Sequence, residues 1–478
     1  MKAYILFFLL LTTPGVFAQQ WGHLNDGLPS DPYVVYGDST LDKLIIGGRY
    51  VRIVQQGDST DLMGVATWDG VIYDSLASRL QTIVNGQNIV GPIQRFLRYN
   101  GELYVCGGFG LMYPDSTFIN SVARLNENTM RWEPLECDFL GGIFQLADVA
   151  QNTLYFTGDM DMFCDSFPES CVVGYDGASF YPYTPFADLP YYYGNYVGYV
   201  FHFQGQDYMT GLITTDTVNV EFYGLMRYTG TEWEPVPGFE TAAPIKKFLI
   251  DDNKLYVSGY FRAGPGVPGN SIAMFDGVSW SDLGGGMLDD LTTPSNGYPI
   301  VYDMLMHHGD LVAVGDFMFA GDIAAQNIAK WNGYQWCSYG GDFGNQVLTS
   351  VTTWRDTLYI SGTFQTIDGV PYGYVARWEG GNNSVACSTP TSVMEYAHSA
   401  ANLLRVVPNP ATGSITIQCG IVQATTVLLL DPLGRAVLST AHDSNGFVTI
   451  EHLTPACYTV LLLDASGQAV ARGRFIKD

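Results

Sequence analysis

One phrase returns seven times along this 478-residue chain. An apolar strand ends near a glycine, a variable loop follows, and a second strand closes on an aromatic residue. "LIIGGRY", "LYVCGGF", "LYVSGYF" and "LYISGTF" are four of the first halves, and their glycines align at Gly48, Gly107, Gly158, Gly211, Gly259, Gly315 and Gly362. A repeat of 47 to 59 residues points to propeller blades, not to the shorter turns of a solenoid.

The second halves read "VATWDG", "VVGYDG", "IAMFDG", "IAKWNG" and "VARWEG". Asp-Gly or Asn-Gly after an apolar run is the signal of a type I′ hairpin, whose two central residues both need positive φ. Five residues beyond the first aromatic stands another: Trp68 and Tyr73, Tyr175 and Phe180, Tyr228 and Trp233, Phe275 and Trp280, Trp331 and Trp336. In the second repeat the turn is longer, with Trp132 seven after Leu125. A further short apolar strand precedes each phrase, such as "IKKFLI" before "DDNKLYVSG", so each repeat supplies four strands.

The seventh repeat is one strand short, because Asn383 stands where the last aromatic belongs, five after Trp378. The missing strand has a counterpart at the other end of the chain. Trp21, Leu24 and Gly27 in "WGHLNDGL" repeat the spacing of Trp280, Leu283 and Gly286. Residues 20–28 are therefore expected to pair with the seventh repeat, leaving no open strand edge. The expected fold class is all-β: a seven-bladed β-propeller over residues 19–387, its last blade closed by an N-terminal strand, and then a small C-terminal β-sandwich. The repeats resemble kelch-type propeller repeats over roughly residues 20–387. A double glycine stands only at Gly47–Gly48 and Gly107–Gly108. That resemblance implies a fold and no function, since propellers host binders and enzymes alike.

Residues 1–18 carry one positive charge (Lys2), the apolar run "YILFFLLL", a Pro14-Gly15 breaker and the ending Val16-Phe17-Ala18. This is the grammar of a secretory signal peptide cut after Ala18, and the run is too short to cross a bilayer. No later stretch is long and apolar enough to span one. The formal net charge is −25, and the terminal segment 403–478 is neutral with five basic and five acidic side chains. The acidity lies in the middle of the chain, which excludes nucleic acid and anionic lipid as partners.

A Ser/Thr/Asn-rich connector, residues 388–403, leads into a segment of different texture, residues 404–478. There Ile415 and Ile417 alternate on one face, Asp431 and Gly434 bracket a turn, and Asp464 to Gly467 form another. The order Pro408-Asn409-Pro410-Ala411, Asp431-x-x-Gly434-Arg435, Leu453 with Tyr458, and Phe475-Ile476-Lys477 runs to the end. It resembles the type A C-terminal sorting domain of the type IX secretion system of Bacteroidetes-type bacteria, departing from the pattern at Ala456. The resemblance implies a partner, the type IX machinery, acting through residues 404–478. It also implies passage through the periplasm, an outer-membrane surface or extracellular destination, and removal of the segment on attachment or release.

Eight cysteines in an exported chain favour disulfides over metal. Cys164 and Cys171 flank one loop, Cys419 and Cys457 share the C-terminal segment, and proximity pairs Cys106 with Cys137 and Cys337 with Cys387. Catalytic motifs are absent: no nucleophile elbow, phosphate loop or HExxH occurs. No cofactor and no metal are expected. His307 and His308, read as strand neighbours, point to opposite faces and cannot share an ion. Asp159, Asp161 and Asp165 lack the Gly and Glu of a calcium loop and read as a solvated acidic loop.

Three functions stay open: a surface or secreted binding protein for a glycan or protein ligand, a hydrolase or lyase using carboxylates from separate loops, and a structural envelope component. The first is preferred. Its candidate binding residues are Tyr191, Tyr192 and Tyr193, at the centre of the aromatic loop Ser179 to Tyr199. Flat amphipathic rings of this kind suit sugar or protein contact. The competing reading is that these rings pack beneath the loop and fill a gap between blades.

Overall fold

The computed structural model describes residues 21–48, 52–55, 58–62, 64–77, 80, 82–84, 87–89, 93–135, 138–147, 153–163, 172–182, 196–214, 222–239, 243–264, 267–289, 299–380, 386–387, 404–419, 425–430, 436–441, 446–463 and 469–478. Among them there is no helix, and the chain is all-β, built from antiparallel sheets. It divides into two compact units, Met1–Ser388 and Thr389–Asp478. The leader at residues 1–18, the connector at 388–403, and Cys137, Cys164 and Cys171 lie outside the described residues, as do Asp165 and the side chains of Asp159 and Asp161.

Each repeat builds one sheet. In the fifth, Ile245–Asp251, Lys254–Gly259, Ile272–Phe275 and Trp280–Ser281 pair in chain order. The second strands are buried along almost their whole length, as in Lys43–Gly48 and Thr357–Gly362. Near-continuous apolar runs are what a strand needs when both of its faces are covered. Neighbouring residues show this directly. Ile45 packs with Phe96, Leu103 and Val105 of the second repeat, whereas Ile46 packs with Trp354 and Tyr359 of the seventh.

First strands lie beside first strands. Pro32–Asp38, Ile93–Tyr99, Asp138–Ala147, Tyr196–Phe203, Ile245–Asp251, Ile300–His307 and Leu348–Trp354 follow one another as neighbours, and Leu348–Trp354 packs back against Pro32–Asp38. There the Val35 and Gly37 amides donate to the Ser350 and Thr352 hydroxyls, at 3.2 and 3.0 Å. The N-terminal strand Trp21–Gly22 pairs with Val375–Trp378, setting Trp21 opposite Trp378 and Gly22 opposite Arg377. It thus becomes the fourth strand of the seventh repeat's sheet. Ala386–Cys387 adds a fifth strand to the sixth repeat's sheet, with Cys387 opposite Cys337.

The Asp-Gly and Asn-Gly steps do not form the expected type I′ turns. Only their glycines have positive φ (Gly70 107°, Gly277 97°, Gly333 92°). The loop has four residues, and the acidic or amide side chain closes it. Asp276 Oδ1 accepts the Val278 and Ser279 amides at 2.8 and 2.7 Å, and Asn332 Oδ1 accepts those of Tyr334 and Gln335 at 3.0 Å each. These are Asx turns, which compete with the backbone conformation an isolated Asp-Gly pair prefers. The five-residue spacing of aromatics follows, because residues flanking a four-residue loop are cross-strand partners. Trp68 faces Tyr73 with ring centroids 4.8 Å apart, and Phe275 faces Trp280 at 4.8 Å. Two-residue turns with both φ positive occur instead between first and second strands, at Asn100-Gly101, Gln204-Gly205, Asp252-Asn253, His308-Gly309 and Arg355-Asp356.

In the second unit, Leu404–Val407, Ser414–Cys419 and Phe447–Thr449 form one sheet. Ala436–Ala441, Thr426–Leu430, Ala456–Leu463 and Ala469–Lys477 form the other. Ile415, Ile417 and Val448 from the first and Val427, Leu429, Val460, Leu462 and Phe475 from the second share one buried core. Cys419 and Cys457 lie on strands of different sheets. The chain's end is tied to the Pro408–Ala411 stretch. Asn409 Oδ1 accepts the Ile476 amide (2.8 Å), the Ala411 amide donates to the Ile476 carbonyl (2.8 Å), and the Asp478 amide donates to the Ala411 carbonyl (3.0 Å).

Candidate functional site

Tyr191, Tyr192 and Tyr193 lie outside the described residues. The histidine pair departs from the expected geometry. The strand ends at His307, and His308 occupies the left-handed corner of a type I′ turn (φ 52°). Strand alternation stops there, so the two rings come together edge to face at 4.1 Å. His308 Nε2 lies 3.2 Å from Asp356 Oδ1 of the next repeat. Among the described residues, no group of three or more His, Cys, Asp or Glu side chains is placed to hold a metal ion.

A different constellation is built by the first strands. In every repeat the register between first and second strand shifts once, near the start in all but the third: between Pro32 and Val34, Ile93 and Arg95, Gly142 and Gln145, Val197 and Val200, Ile245 and Lys247, Val301 and Asp303, and Leu348 and Ser350. A β-bulge twists a strand and re-aims its side chains. The bulges also explain the aligned glycines, which sit opposite them. A Cβ on Gly259, Gly315 or Gly362 would land on the carbonyl oxygen of Pro244, Ile300 or Val347 respectively. The glycine is required by close backbone approach, not by its φ.

At the bulges, side chains from separate repeats meet. Arg95 Nη1 donates to the Tyr199 hydroxyl (3.1 Å), and the Tyr199 hydroxyl donates to the Lys246 carbonyl (2.8 Å). The Arg95 guanidinium also lies 5.5 Å from the Tyr199 ring centroid. Arg95 and Tyr199 come from the second and fourth repeats, so this contact bypasses the third. Beyond it, Lys247 Nζ lies 2.6 Å from Asp303 Oδ1, which also accepts the Met304 amide at 2.9 Å. Asp303 Oδ2 takes the Ser350 hydroxyl and the Val351 amide, each at 3.1 Å. Next to Lys247, Lys246 Nζ sits 5.2 Å from the Tyr260 ring centroid. Tyr302, the bulged residue of the sixth repeat, has its pKa pushed up by burial and by its hydrogen bond to Tyr260.

The electrostatics of this site are one-sided. Burial opposes the charged form of Arg95, but Tyr199 and Asp303 more than offset it and raise its pKa. Burial raises that of Tyr199 despite the nearby guanidinium, so the phenol keeps the proton that it donates. Asp303 already takes four donors. Among the described residues, neither Arg95 nor Lys246 is ion-paired, whereas Arg98, Arg124, Arg131, Arg227 and Lys330 each rest on a carboxylate. Among the described residues, the arrangement offers two cations without an ion pair, Arg95 and Lys246, and no free carboxylate pair for hydrolysis. Sequence reasoning passed over these residues, although a signal existed. Aligned on the bulge, Arg95, Lys247 and Asp303 occupy one repeat position, two residues after Ile93, Ile245 and Val301.

No protein-family model matches this sequence. No curated protein matches it either. Among solved structures, it is similar to PorZ, an essential bacterial surface component of the type IX secretion system of Porphyromonas gingivalis, at 13% identity and a TM-score of 0.36, covering 91% of this chain and 69% of that one. It is similar to the extracellular domain of a putative hybrid two-component system from B. thetaiotaomicron, at 11% identity and a TM-score of 0.40. That match covers 94% of this chain and 57% of the other. The β-propeller domain of the Trilobed protease from Pyrococcus furiosus, described as having an open velcro topology, matches at 9% identity and a TM-score of 0.33, with 65% and 78% covered. No helix among the described residues is long and apolar enough to cross a membrane.

Proposed function

We propose that this chain is an exported surface or secreted binding protein. Residues 19–387 form a seven-bladed β-propeller, and residues 404–478 form a β-sandwich that delivers it through the type IX secretion system. The propeller reading is supported by the order of first-strand neighbours, which returns to its start, and by Trp21 pairing with Trp378. A cross-strand disulfide between Cys337 and Cys387 belongs to this reading. It is supported by their direct opposition in register, since facing residues of an antiparallel ladder stand about 4.5–5.5 Å apart at Cα, within the range a disulfide spans.

The observation carrying the binding function is the Arg95–Tyr199 pairing between non-consecutive repeats, a polar contact at the hub that packing alone does not call for. Hydrolysis is the weaker reading, because the one first-strand carboxylate in this network, Asp303, is already saturated. The address rests on the motif order from Pro408 to Lys477. Intact mass of the protein recovered from the cell surface or medium tests it. A mature form beginning at Gln19 and ending before about residue 404 is expected, the limits coming from cleavage grammar and family resemblance. An extracellular species still ending at Asp478 would overturn the delivery route.

A further inference from the structure

We propose that the Cys337–Cys387 disulfide is a redox latch on the N-terminal strand: the bond holds residues 20–28 docked on the seventh repeat, and its reduction loosens them. This deepens the disulfide reading above by giving that bond a regulatory role, and it rests on that reading. The two cysteines bracket the seventh repeat. Leu348–Trp354, Thr357–Gly362 and Val375–Trp378 all lie between them in the chain. So do the groups that hold the N-terminal strand. The Trp21 ring meets Tyr339 and Phe343, which closely follow Cys337, and Trp378, which shortly precedes Cys387. The Trp21 indole donates to the Gly340 carbonyl at 3.3 Å, and the Tyr372 hydroxyl donates to the Trp21 carbonyl at 2.7 Å. The Leu28 amide donates to the Gly373 carbonyl at 2.9 Å. Each of these partners belongs to the covalent loop that the disulfide closes.

Cross-linking restricts the open forms of this loop more than the folded form, whose register already sets the two cysteines opposite each other. The N-terminal strand lies outside the loop and docks onto it, so the bond acts by pre-ordering the strand's partners. Such coupling is reciprocal: docking favours the bond by the same factor by which the bond favours docking. Burial adds a kinetic effect. Cys337 is 0% exposed and shares one core with Trp21, Tyr339, Phe343 and Trp378. A sulfur there is shielded from external thiols, so exchange requires the loop to open. When the latch sets, two thiols give one S–S bond. Two electrons and two protons pass to the disulfide of an external oxidoreductase, which becomes a dithiol. Donors of this class work outside the cytoplasm, so the latch sets once the chain has left it.

Two measurements on the full-length protein, recovered from an oxidising compartment, test this once alkylation and mass spectrometry have located the bond. A linked Cys337–Cys387 peptide is expected; free thiols at both positions, or other partners for them, overturn the disulfide reading and the latch with it. Amide hydrogen exchange is then compared between the parent and Cys387→Ser. Residues 20–28 should exchange at least tenfold faster in the variant, while the fifth-repeat strands Ile245–Asp251 and Lys254–Gly259 keep the parent rate. Unchanged exchange at residues 20–28, or equal acceleration in the fifth repeat, overturns the latch and leaves the disulfide standing. The second measurement uses the reciprocity. In glutathione redox buffers, Trp21→Ala should make the bond easier to reduce, by about 30 mV for each tenfold loss of docking. An unchanged potential in folded Trp21→Ala overturns the coupling. If Cys387→Ser misfolds, the potentials decide; if Trp21→Ala misfolds, the exchange rates do.

Discussion

Trp21→Ala measures how much of the first unit's stability depends on its N-terminal strand. Trp21 is 3% exposed, with its ring edge-on to Trp378 at 4.9 Å and to Phe343 at 5.9 Å. Its indole N–H donates to the Gly340 carbonyl at 3.3 Å. Its backbone carbonyl accepts the buried Tyr372 hydroxyl at 2.7 Å, a bond the substitution leaves in place. Removing a buried indole costs about 3–5 kcal/mol through lost transfer free energy and the cavity left behind. The expected loss is toward the upper half of that range, because three aromatic pairs, those with Trp378, Phe343 and Tyr339, disappear along with the area. All nine tryptophans lie between Trp21 and Trp378, so tryptophan fluorescence in urea reports the first unit of the intact chain by itself. A chain lacking residues 19–28 should lose more, since Leu24 and Leu28 are also buried, and a synthetic peptide of that segment should restore part of the loss. A Trp21→Ala midpoint corresponding to less than about 1 kcal/mol, well under the usual cost of such a truncation, would refute the stabilising role of this strand pairing.

Gly315→Ala should destabilise the first unit by about 1–3 kcal/mol, the usual range for forcing atoms into a packed site, because its Cβ falls on the Ile300 carbonyl; an unchanged urea midpoint would contradict the close-approach explanation. His307 gives a pH signature. Burial and the neighbouring His308 hold its pKa below the ordinary 6.5, Asp356 and Asp310 opposing and Lys330 adding to the effect. The unfolded chain therefore takes up this proton at higher pH than the folded one does. Stability from this group is full above 6.5 and declines as pH falls through 6.5 toward the folded value. Melting temperatures between pH 7.5 and 5.5 should fall more steeply for the parent than for His307→Gln, and parallel curves would remove His307 as the cause.

The sequence by itself determined the elements and their order. Four strands per repeat, the strand missing from the seventh, and the Trp21 segment that pairs there were legible because apolar runs and spaced aromatics are local records of burial and cross-strand pairing. Turn chemistry was only half legible. Asp-Gly and Asn-Gly correctly marked hairpins, but whether the side chain or the backbone closes a loop depends on its length, which the pairing of Trp68 with Tyr73 fixes. The same limit applied to His307 and His308, where one residue of left-handed backbone brought together rings that strand alternation would separate. The contacts between side chains of different repeats were decided by tertiary structure alone. Arg95 and Tyr199 are 104 residues apart, and Lys247 meets Asp303 from the next repeat. No periodicity within a repeat records which side chains of different repeats share a space. That depends on how the sheets pack and on the bulge in the first strands, which brings Arg95, Lys247 and Asp303 to side chains of other repeats.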